Sequence, residues 1–311
     1  MSVIETALDK LRRTAGPAKH APEPISPIVT GLSIAAYPGS YSSEPLPPPA
    51  KSIRVDLAEL RAQGYLPEAR AERRFADYYR EIKRPVIRKA LAADAMADLR
   101  FVLVSSALPG EGKTFTSLNL ALSMAREHDI SVLLVDGDVA NPQISRALGV
   151  DNEPGLMGAL RDDTLDPEAL VLGTDVPGLD LLPAGGPVDG AAELIASARM
   201  AQVAARLSLR NPRRLVLLDS PPVLASSEAR ALLHIPGQVI LVVRSHQTPT
   251  QALQDALTLI DPKKLNGLVL NDATVGAGEG YYYGYGYSSY GAHGTNGAKG
   301  DRLPMDDRPS T

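Results

Sequence analysis

Six short runs of aliphatic residues recur through the middle of the chain, separated by longer stretches with helical spacing. The runs lie at 101–105, 132–135, 179–182, 215–218, 238–243 and 267–270. Continuous apolar runs of this length are typical of parallel strands that are covered on both faces. The stretches between them predict helices, for example over 113–127, 190–208 and 249–259. The alternation predicts an α/β fold over residues 99–275, a doubly wound and mostly parallel sheet with helices on both faces.

Three segments with other patterns precede this domain. Residues 1–16 carry apolar side chains at helical spacing and predict a short amphipathic helix, which would pack on its own domain or dock on a partner. Residues 17–50 contain nine of the 26 prolines and predict an extended linker. Residues 51–98 predict a helical arm, in which a charged helix over 68–92 is disturbed at Pro85.

The last segment, 276–311, is rich in glycine and tyrosine. Nine of its 36 residues are Gly and almost none are aliphatic, so it cannot bury a core and is expected to be disordered. It holds six of the eleven tyrosines of the chain, Tyr281, Tyr282, Tyr283, Tyr285, Tyr287 and Tyr290. Such a cluster is either a set of modification sites on flexible backbone or an unmodified low-complexity tail.

Composition narrows the class of protein. The chain has 32 basic and 36 acidic residues, a net charge of −4, which argues against a nucleic-acid binder that relies on bulk positive charge. The absence of cysteine excludes a disulfide framework and any cysteine-based metal site. No apolar run approaches the about 18 residues of a membrane-spanning helix, and the N-terminus lacks the apolar core of a signal peptide. We therefore expect a soluble, cytoplasmic protein that reaches the inner membrane only through a partner.

A phosphate-binding motif follows the first predicted buried strand. Residues 107–114 read ALPGEGKT, which is the P-loop pattern GxxxxGK[ST] with Ala107 in place of the first Gly. In this motif the glycines let backbone N–H groups face the phosphate oxygens, the lysine reaches the β- and γ-phosphates, and the hydroxyl ligates Mg²⁺. The candidate nucleotide-binding residues are Pro109, Gly110, Glu111, Gly112, Lys113, Thr114 and Phe115. The fold is therefore predicted to be of the P-loop NTPase type.

Polar side chains end three further strands of the predicted sheet. Asp136 and Asp138 close the second strand, and Asp219 follows four aliphatic residues in the Walker B arrangement. Because ligands of open α/β sheets bind at the carboxyl ends of the strands, these carboxylates are expected at the nucleotide crevice. Asn271 ends the last strand, where it either reads the adenine edge or forms a turn.

These motifs resemble those of a known family. The stretches SALPGEGKT, LLVDGDVANP and LLDSPP resemble the bacterial tyrosine kinases that accompany exopolysaccharide export, in which the second motif is named Walker A′. The chain is similar, more narrowly, to the exosortase-associated exopolysaccharide tyrosine autokinases, through 53–66, 82–85, 154–157, 182–185 and the Tyr-Gly tail. The resemblance covers roughly residues 53–290. No HRD or DFG triplet of the eukaryotic kinases is present.

The resemblance implies an activity and its components. It implies a protein-tyrosine autokinase that uses ATP and Mg²⁺, phosphorylates its tail tyrosines in trans, and regulates exopolysaccharide polymerisation or export. Lys113 and Thr114 would bind phosphate and Mg²⁺, Asp136 would accept the tyrosine proton with help from Asp138, and Asp219 with Asp136 would complete the metal site. The implied partners are a polysaccharide co-polymerase in the membrane, further copies of the chain in a ring-like homo-oligomer, and a cognate tyrosine phosphatase.

Two departures from the family pattern keep alternatives open. The family's oligomerisation motif Glu-x-x-Arg-x-x-Arg matches Asp77, Arg80 and Lys83 here, which form either a subunit interface or a solvated charged face. Relatives commonly carry a basic residue where this chain has Asn141, so the chain could instead be a weakly catalytic ATP-binding adaptor of the co-polymerase.

A Min- or Par-like ATPase switch is a further alternative from another functional class. Those proteins carry an extra lysine early in the P-loop, where this chain has Leu108 and Pro109, so the sequence disfavours a hydrolysis switch.

Overall fold

An eight-stranded sheet forms the centre of the computed structural model, which describes residues 48–92, 95–186 and 188–273. In chain order the strands are β1 (Lys51–Ile53), β2 (Phe101–Ser106), β3 (Ser131–Asp136), β4 (Leu172–Thr174), β5 (Leu179–Leu182), β6 (Arg214–Asp219), β7 (Gln238–Arg244) and β8 (Leu265–Asn271). Their order across the sheet is β1-β4-β5-β3-β6-β2-β7-β8. Every neighbouring pair is parallel except β4 and β5. The doubly wound, mostly parallel sheet is thus confirmed.

Helices connect the strands. In the described ranges the α-helices are α1 (Leu57–Ala62), α2 (Glu72–Ala90), α3 (Lys113–Met124), α4 (Gln143–Ala147), α5 (Leu156–Arg161), α6 (Ala191–Ile195), α7 (Ala198–Leu209), α8 (Ser227–Leu232) and α9 (Thr250–Leu259). Short 3₁₀ helices lie at Ala69–Ala71, Ala97–Arg100 and Pro167–Leu170. No helix of the described segments combines the length and the apolar character that crossing a membrane requires.

Two apolar layers cover the two faces of the sheet. Side chains of β2 alternate between them, with Phe101 and Leu103 in one layer and Val102 and Val104 in the other. Helices α5 to α9 contribute to the first layer, and helices α1 to α4 contribute to the second. This two-sided burial explains why the strand sequences are continuously apolar instead of alternating.

The arm is joined to the sheet and to helix α3. Strand β1 extends the sheet beside β4, with Lys51 opposite Leu172. Helix α2 packs along α3, where the rings of Phe75 and Phe115 meet edge to face at 5.9 Å between centroids. The side-chain amide of Asn119 in α3 donates to the carbonyl of Tyr65 at 2.8 Å. The arm therefore supports the helix that begins at the P-loop lysine.

Lys83 anchors α2 to the end of α3. Its side chain is buried, and its ammonium group donates to the Ser123 carbonyl at 2.6 Å and pairs with Glu127 at 2.8 Å. The sequence places Lys83 or Arg84 on one charged face with Asp77 and Arg80. In the structure Lys83 instead turns toward its own domain, and Arg84 remains exposed with the other two.

Two secondary-structure predictions were wrong, and two short strands were not predicted. The helix expected to be disturbed at Pro85 runs unbroken from Glu72 to Ala90, because buried residues on both sides of the proline, Lys83 and Val86 among them, hold it against the core. The single helix expected over 190–208 is two helices, α6 and α7. They are separated where Ser197 takes an extended conformation and its hydroxyl donates to the Leu194 carbonyl at 2.6 Å.

The two strands that the sequence did not predict are short. Strands β1 and β4 have three residues each, KSI and LGT, with too few apolar positions for a pattern. They form because partner strands supply hydrogen bonds at the edge of the sheet. The amphipathic helix predicted at 1–16, nearly all of the linker 17–50 and the tail 276–311 lie outside the described residues.

The buried Lys83 contact predicts a stability difference within one helix. We expect Lys83→Ala to lower the free energy of unfolding by about 1–3 kcal/mol, because the Ser123 carbonyl and Glu127 lose a charged donor. Lys89→Ala removes an exposed lysine from the same helix and should change it by less than about 0.5 kcal/mol. Urea denaturation of both variants measures the difference, and equal effects would contradict the anchoring role.

Candidate active site

The predicted site residues converge at the carboxyl ends of three adjacent strands. Strand β6 lies between β3 and β2, so the ends of these strands form one edge. Asp136 of β3 lies directly opposite Asp219 of β6 in the register. In the sheet, β6 and β3 lie on one side of β2, and β7 and β8 lie on the other side. The strand order therefore reverses direction at β2, which places a topological switch point beside the loop after β2.

The loop after β2 has the backbone geometry of a phosphate cradle. Gly110 and Gly112 have φ of 79° and 92°, in the left-handed region that glycine adopts without strain. Gly112 is followed at once by α3, which directs the N–H groups of its first turn at the loop. Ala107, which replaces the first glycine of the motif, is fully buried in the apolar layer. Its methyl group therefore lies away from the cradle.

Lys113 and Asp138 form an ion pair at the site. The Lys113 ammonium lies 3.2 Å from Asp138 Oδ2, and the two side chains are only 8% and 7% exposed. The other carboxylate oxygen of Asp138 accepts the Asn141 N–H at 3.2 Å. The pairing keeps the lysine at the phosphate loop with its charge compensated.

Asp219 is fully buried and bound by two hydroxyl groups of α3. Thr114 donates to its Oδ2 at 2.8 Å, and Ser117 donates to its Oδ1 at 2.9 Å. Burial raises the pKa of Asp219 to about 7, although the nearby Lys113 charge acts in the opposite direction. Asp219 thus holds the start of α3 against the end of β6.

Asp136 is the second fully buried carboxylate. Its Oδ2 accepts both the N–H of Ser145 at 2.8 Å and the hydroxyl of Ser145 at 2.7 Å. Its Oδ1 is buried and accepts no hydrogen bond from any residue that the structure describes. Burial raises the pKa of Asp136 to about 6, and the neighbouring Asp138 charge adds to the shift.

The remaining predicted residues lie around the loop. Pro109 and Gly110 are exposed at its tip, and Phe115 turns away from it toward Phe75 of the arm. The Glu111 carboxylate accepts the Leu108 N–H at 2.8 Å and the hydroxyl of Thr248. Asn271 donates its side-chain amide to the Glu111 carbonyl at 3.0 Å, so it lies against the loop. The six tail tyrosines are outside the described residues.

Sequence reasoning missed three residues of the site. Ser117 lies one turn after Lys113 in α3 and could have been found from that helical spacing. Ser145 is nine residues after Asp136 in another helix, and Thr248 is in a turn more than a hundred residues from Glu111. No local pattern marks either of them, because only the fold brings them to the site.

These site residues fit a nucleoside triphosphate with a divalent cation. The cradle has glycine backbone, a helix N-terminus and a lysine, which together favour phosphate. The unpartnered Oδ1 of Asp136 is the kind of hard oxygen that Mg²⁺ binds, and Thr114 and Asp219 add oxygens beside it. Catalysis by positioning and charge is therefore within reach of these residues.

Comparison with known proteins identifies the family. No family model matches the chain. It is 32% identical over 194 residues to the putative tyrosine-protein kinase EpsB of Ralstonia nicotianae, which is 62% of this chain and 25% of EpsB. It is 30% identical over 189 residues to the tyrosine-protein kinase YwqD of Bacillus subtilis, which is 60% of this chain and 78% of YwqD. The chain belongs to the bacterial tyrosine-protein kinase family.

A solved structure of the family agrees. The VpsO kinase domain is 32% identical, has a TM-score of 0.52, and is matched over 64% of this chain and 99% of that domain. Both the predicted fold and the resemblance to bacterial tyrosine kinases are thus confirmed. The chain spans about a quarter of the length of EpsB.

The raised pKa of Asp219 predicts a pH-dependent stability. The native carboxyl keeps its proton up to about pH 7, whereas the unfolded one releases it near its ordinary value of 3.8. The native state therefore binds more protons in between, and the stability that this group contributes falls as pH rises through that window. We expect Asp219→Asn to stabilise the protein without nucleotide at about pH 8 by about 1–3 kcal/mol, with little difference near pH 4.

Urea denaturation of the wild type and the variant at both pH values measures this effect. Asp151→Asn, at an exposed aspartate, is the matched control and should show no such trend. An Asp219→Asn difference that stays constant with pH would contradict the burial argument.

Proposed function

We propose that this chain is an ATP-dependent protein-tyrosine autokinase that phosphorylates its C-terminal tyrosine cluster in trans and regulates exopolysaccharide polymerisation or export. The observation that carries the proposal is the convergence of Lys113, Asp136, Asp138 and Asp219 at one sheet edge in a member of the bacterial tyrosine-protein kinase family. The link to exopolysaccharide rests on the motifs and tail that resemble the exosortase-associated autokinases.

The P-loop holds the phosphates in this proposal. Backbone N–H groups from 109–115 and the start of α3 surround the phosphate oxygens, and Lys113 neutralises the β- and γ-phosphates. Thr114, Asp136 and Asp219 hold Mg²⁺, which when bound neutralises charge on the phosphates. Asn271 is the candidate contact to the adenine base. Its side-chain N–H already donates to the Glu111 carbonyl, so its side-chain carbonyl oxygen is the group that accepts from the amino group of adenine.

Asp136 is the proposed proton acceptor for the incoming tyrosine. Its unpartnered Oδ1 can accept a hydrogen bond from a phenol, and a pKa raised to about 6 by burial suits a base that acts near neutral pH. The tyrosine oxygen bonds to the γ-phosphorus, the bond from that phosphorus to the bridging oxygen breaks so that ADP leaves with the oxygen, and the phenolic proton passes to the carboxylate. Asp138 assists by keeping Lys113 in place.

Arg146 bears on the departure at Asn141. Its guanidinium donates to the Asn141 side-chain carbonyl, so a cation from α4 reaches the position where relatives carry a basic residue. The site therefore keeps a positive charge next to the Walker A′ segment. This favours a working kinase over the weakly catalytic adaptor.

The tail and the arm have distinct roles in the proposal. The glycine-rich sequence around Tyr281–Tyr290 suits an acceptor that must enter a neighbour's crevice, and each phosphate adds about −1.5 to −2 charges. The arm 51–98 serves self-association into a ring through the exposed Asp77, Arg80 and Arg84 of α2. A co-polymerase brings the kinase to the cytoplasmic side of the inner membrane, and a tyrosine phosphatase resets the tail.

One experiment tests the kinase activity. The purified full chain is incubated with Mg²⁺ and ATP, with the co-polymerase supplied, and phosphotyrosine is mapped by mass spectrometry. We expect label within residues 281–290 of the wild type and at least about 100-fold less in Lys113→Met, because the lysine stabilises charge at the γ-phosphate. Lys263→Met, at an exposed lysine far from the P-loop in sequence, should be labelled like the wild type.

Each other outcome selects an alternative. Equal label in the wild type and Lys113→Met would indicate a contaminating kinase. ATP binding without phosphotyrosine would support the adaptor, and phosphate release without phosphotyrosine would support an ATPase switch.

A further inference from the structure

We infer that Thr248 and Asn271 are positioning residues that act through Glu111 to hold the P-loop in its phosphate-receiving shape before nucleotide binds. The inference rests on the proposed nucleotide binding and deepens it. It concerns the side of the P-loop that faces β7 and β8, away from the catalytic carboxylates.

The side chain of Glu111 anchors the loop and does not contact the phosphates. A carboxylate in a triphosphate cradle would repel the ligand if its charge faced the phosphates. Here the Glu111 side chain is only 3% exposed, and its two oxygens accept the N–H of Leu108 and the hydroxyl of Thr248. The carboxylate thus closes the loop on itself and ties it to the turn after β7.

Thr248 is itself fixed from two directions. Its hydroxyl accepts the Arg244 N–H at 2.9 Å, and its own N–H donates to the Arg244 carbonyl at 3.0 Å. Pro249 follows and restricts the backbone of Thr248. The hydroxyl that reaches Glu111 therefore has one orientation and cannot follow a loop that moves away.

Asn271 holds the other side of Glu111. Its amide N–H donates to the Glu111 carbonyl, and a Cβ added at Gly112 would lie 1.9 Å from the Asn271 Nδ2. A side chain at position 112 would therefore expel the asparagine. Gly112 serves both its own left-handed backbone and this close approach.

The two supporting segments are joined to each other. Ser245 N–H donates to the Asn271 carbonyl at 2.8 Å, and Arg244 pairs with Asp272 at 3.1 Å. His246 and Asp272 have φ of 57° and 55°, a conformation that is uncommon outside glycine and persists only when the surroundings hold it. Thr248 and Asn271 thus belong to one rigid support that contacts the P-loop at Glu111.

If these contacts pre-form the phosphate cradle, their loss should lower the affinity for phosphate ligands more than it lowers the rate of phosphoryl transfer. Losing one hydrogen bond to a charged acceptor weakens an interaction by roughly tenfold or more. We therefore expect Thr248→Val to bind a fluorescent ATP analogue and inorganic tripolyphosphate about tenfold more weakly. Asn271→Ala loses a bond to the neutral Glu111 carbonyl and should bind both about threefold to tenfold more weakly. Tripolyphosphate has no adenine base. Weaker binding of tripolyphosphate by a variant therefore indicates an effect on the P-loop and not the loss of an adenine contact. Turnover of Thr248→Val saturated with ATP should stay within about threefold of the wild type, because Lys113 and the carboxylates are unchanged.

Three further variants sharpen the test. Thr248→Ser keeps the hydroxyl and should restore binding. Thr258→Val is the matched control, since the exposed Thr258 hydroxyl donates only to the Asp255 carbonyl within α9. The double variant of Thr248 and Asn271 should lose less than the product of the single losses, because both act through Glu111.

The outcomes separate this inference from the proposed function. Wild-type tripolyphosphate affinity in folded Thr248→Val and Asn271→Ala would overturn the inference while ATP binding stands, and so would a Thr248→Ser variant as weak as Thr248→Val. If Thr248→Val does not fold, the Asn271→Ala result decides. A wild-type chain that binds neither ligand would overturn the proposed nucleotide binding and the inference with it.

Discussion

The site depends on two carboxylates that the fold forces into the same buried place. Asp136 and Asp219 are directly opposite each other on adjacent parallel strands, and neither is exposed. Two charges so close, out of water, disfavour each other's ionised form. Burial is the main cause that raises the pKa of both carboxyls; the Asp136 charge adds to the shift of Asp219, and the Asp138 charge adds to the shift of Asp136. Hydrogen-bond donors around the two carboxylates offset part of the free-energy cost of burying them.

The offsetting groups come from different parts of the chain. Thr114 and Ser117 donate to Asp219, Ser145 donates twice to Asp136, and the Lys113 charge favours ionised Asp219. One acceptor, Oδ1 of Asp136, is left without a partner among the described residues. A buried acceptor without a partner costs free energy, so its retention points to a functional role. Either a cation or a substrate hydroxyl would satisfy it, and these are the two roles proposed for Asp136.

The sequence predicts those parts of the site in which a recognisable motif directly follows a buried strand. A P-loop after a buried strand, and aspartates at the ends of two others, must meet at one edge because parallel strands share their carboxyl ends. The partners of those residues were not predictable in the same way. Ser145 and Thr248 reach the site by tertiary packing, and Lys83 turns inward although its charge and spacing favour a surface face. For Asn271 the location beside the nucleotide loop was predictable, whereas the direction of its amide was not.

Helix α3 is the element through which distant parts of the molecule bear on the phosphate loop. Lys113, Thr114 and Ser117, in its first five residues, contact the carboxylates. The arm contacts Phe115 near the start of the helix and Asn119 in the next turn, and Lys83 contacts its end at Ser123. A helix is stiff along its axis, so the arm cannot shift against α3 without breaking these contacts or moving the first turn. Side-chain contacts thus connect helix α2, whose other face is exposed, to the helix that begins at Lys113 of the P-loop motif.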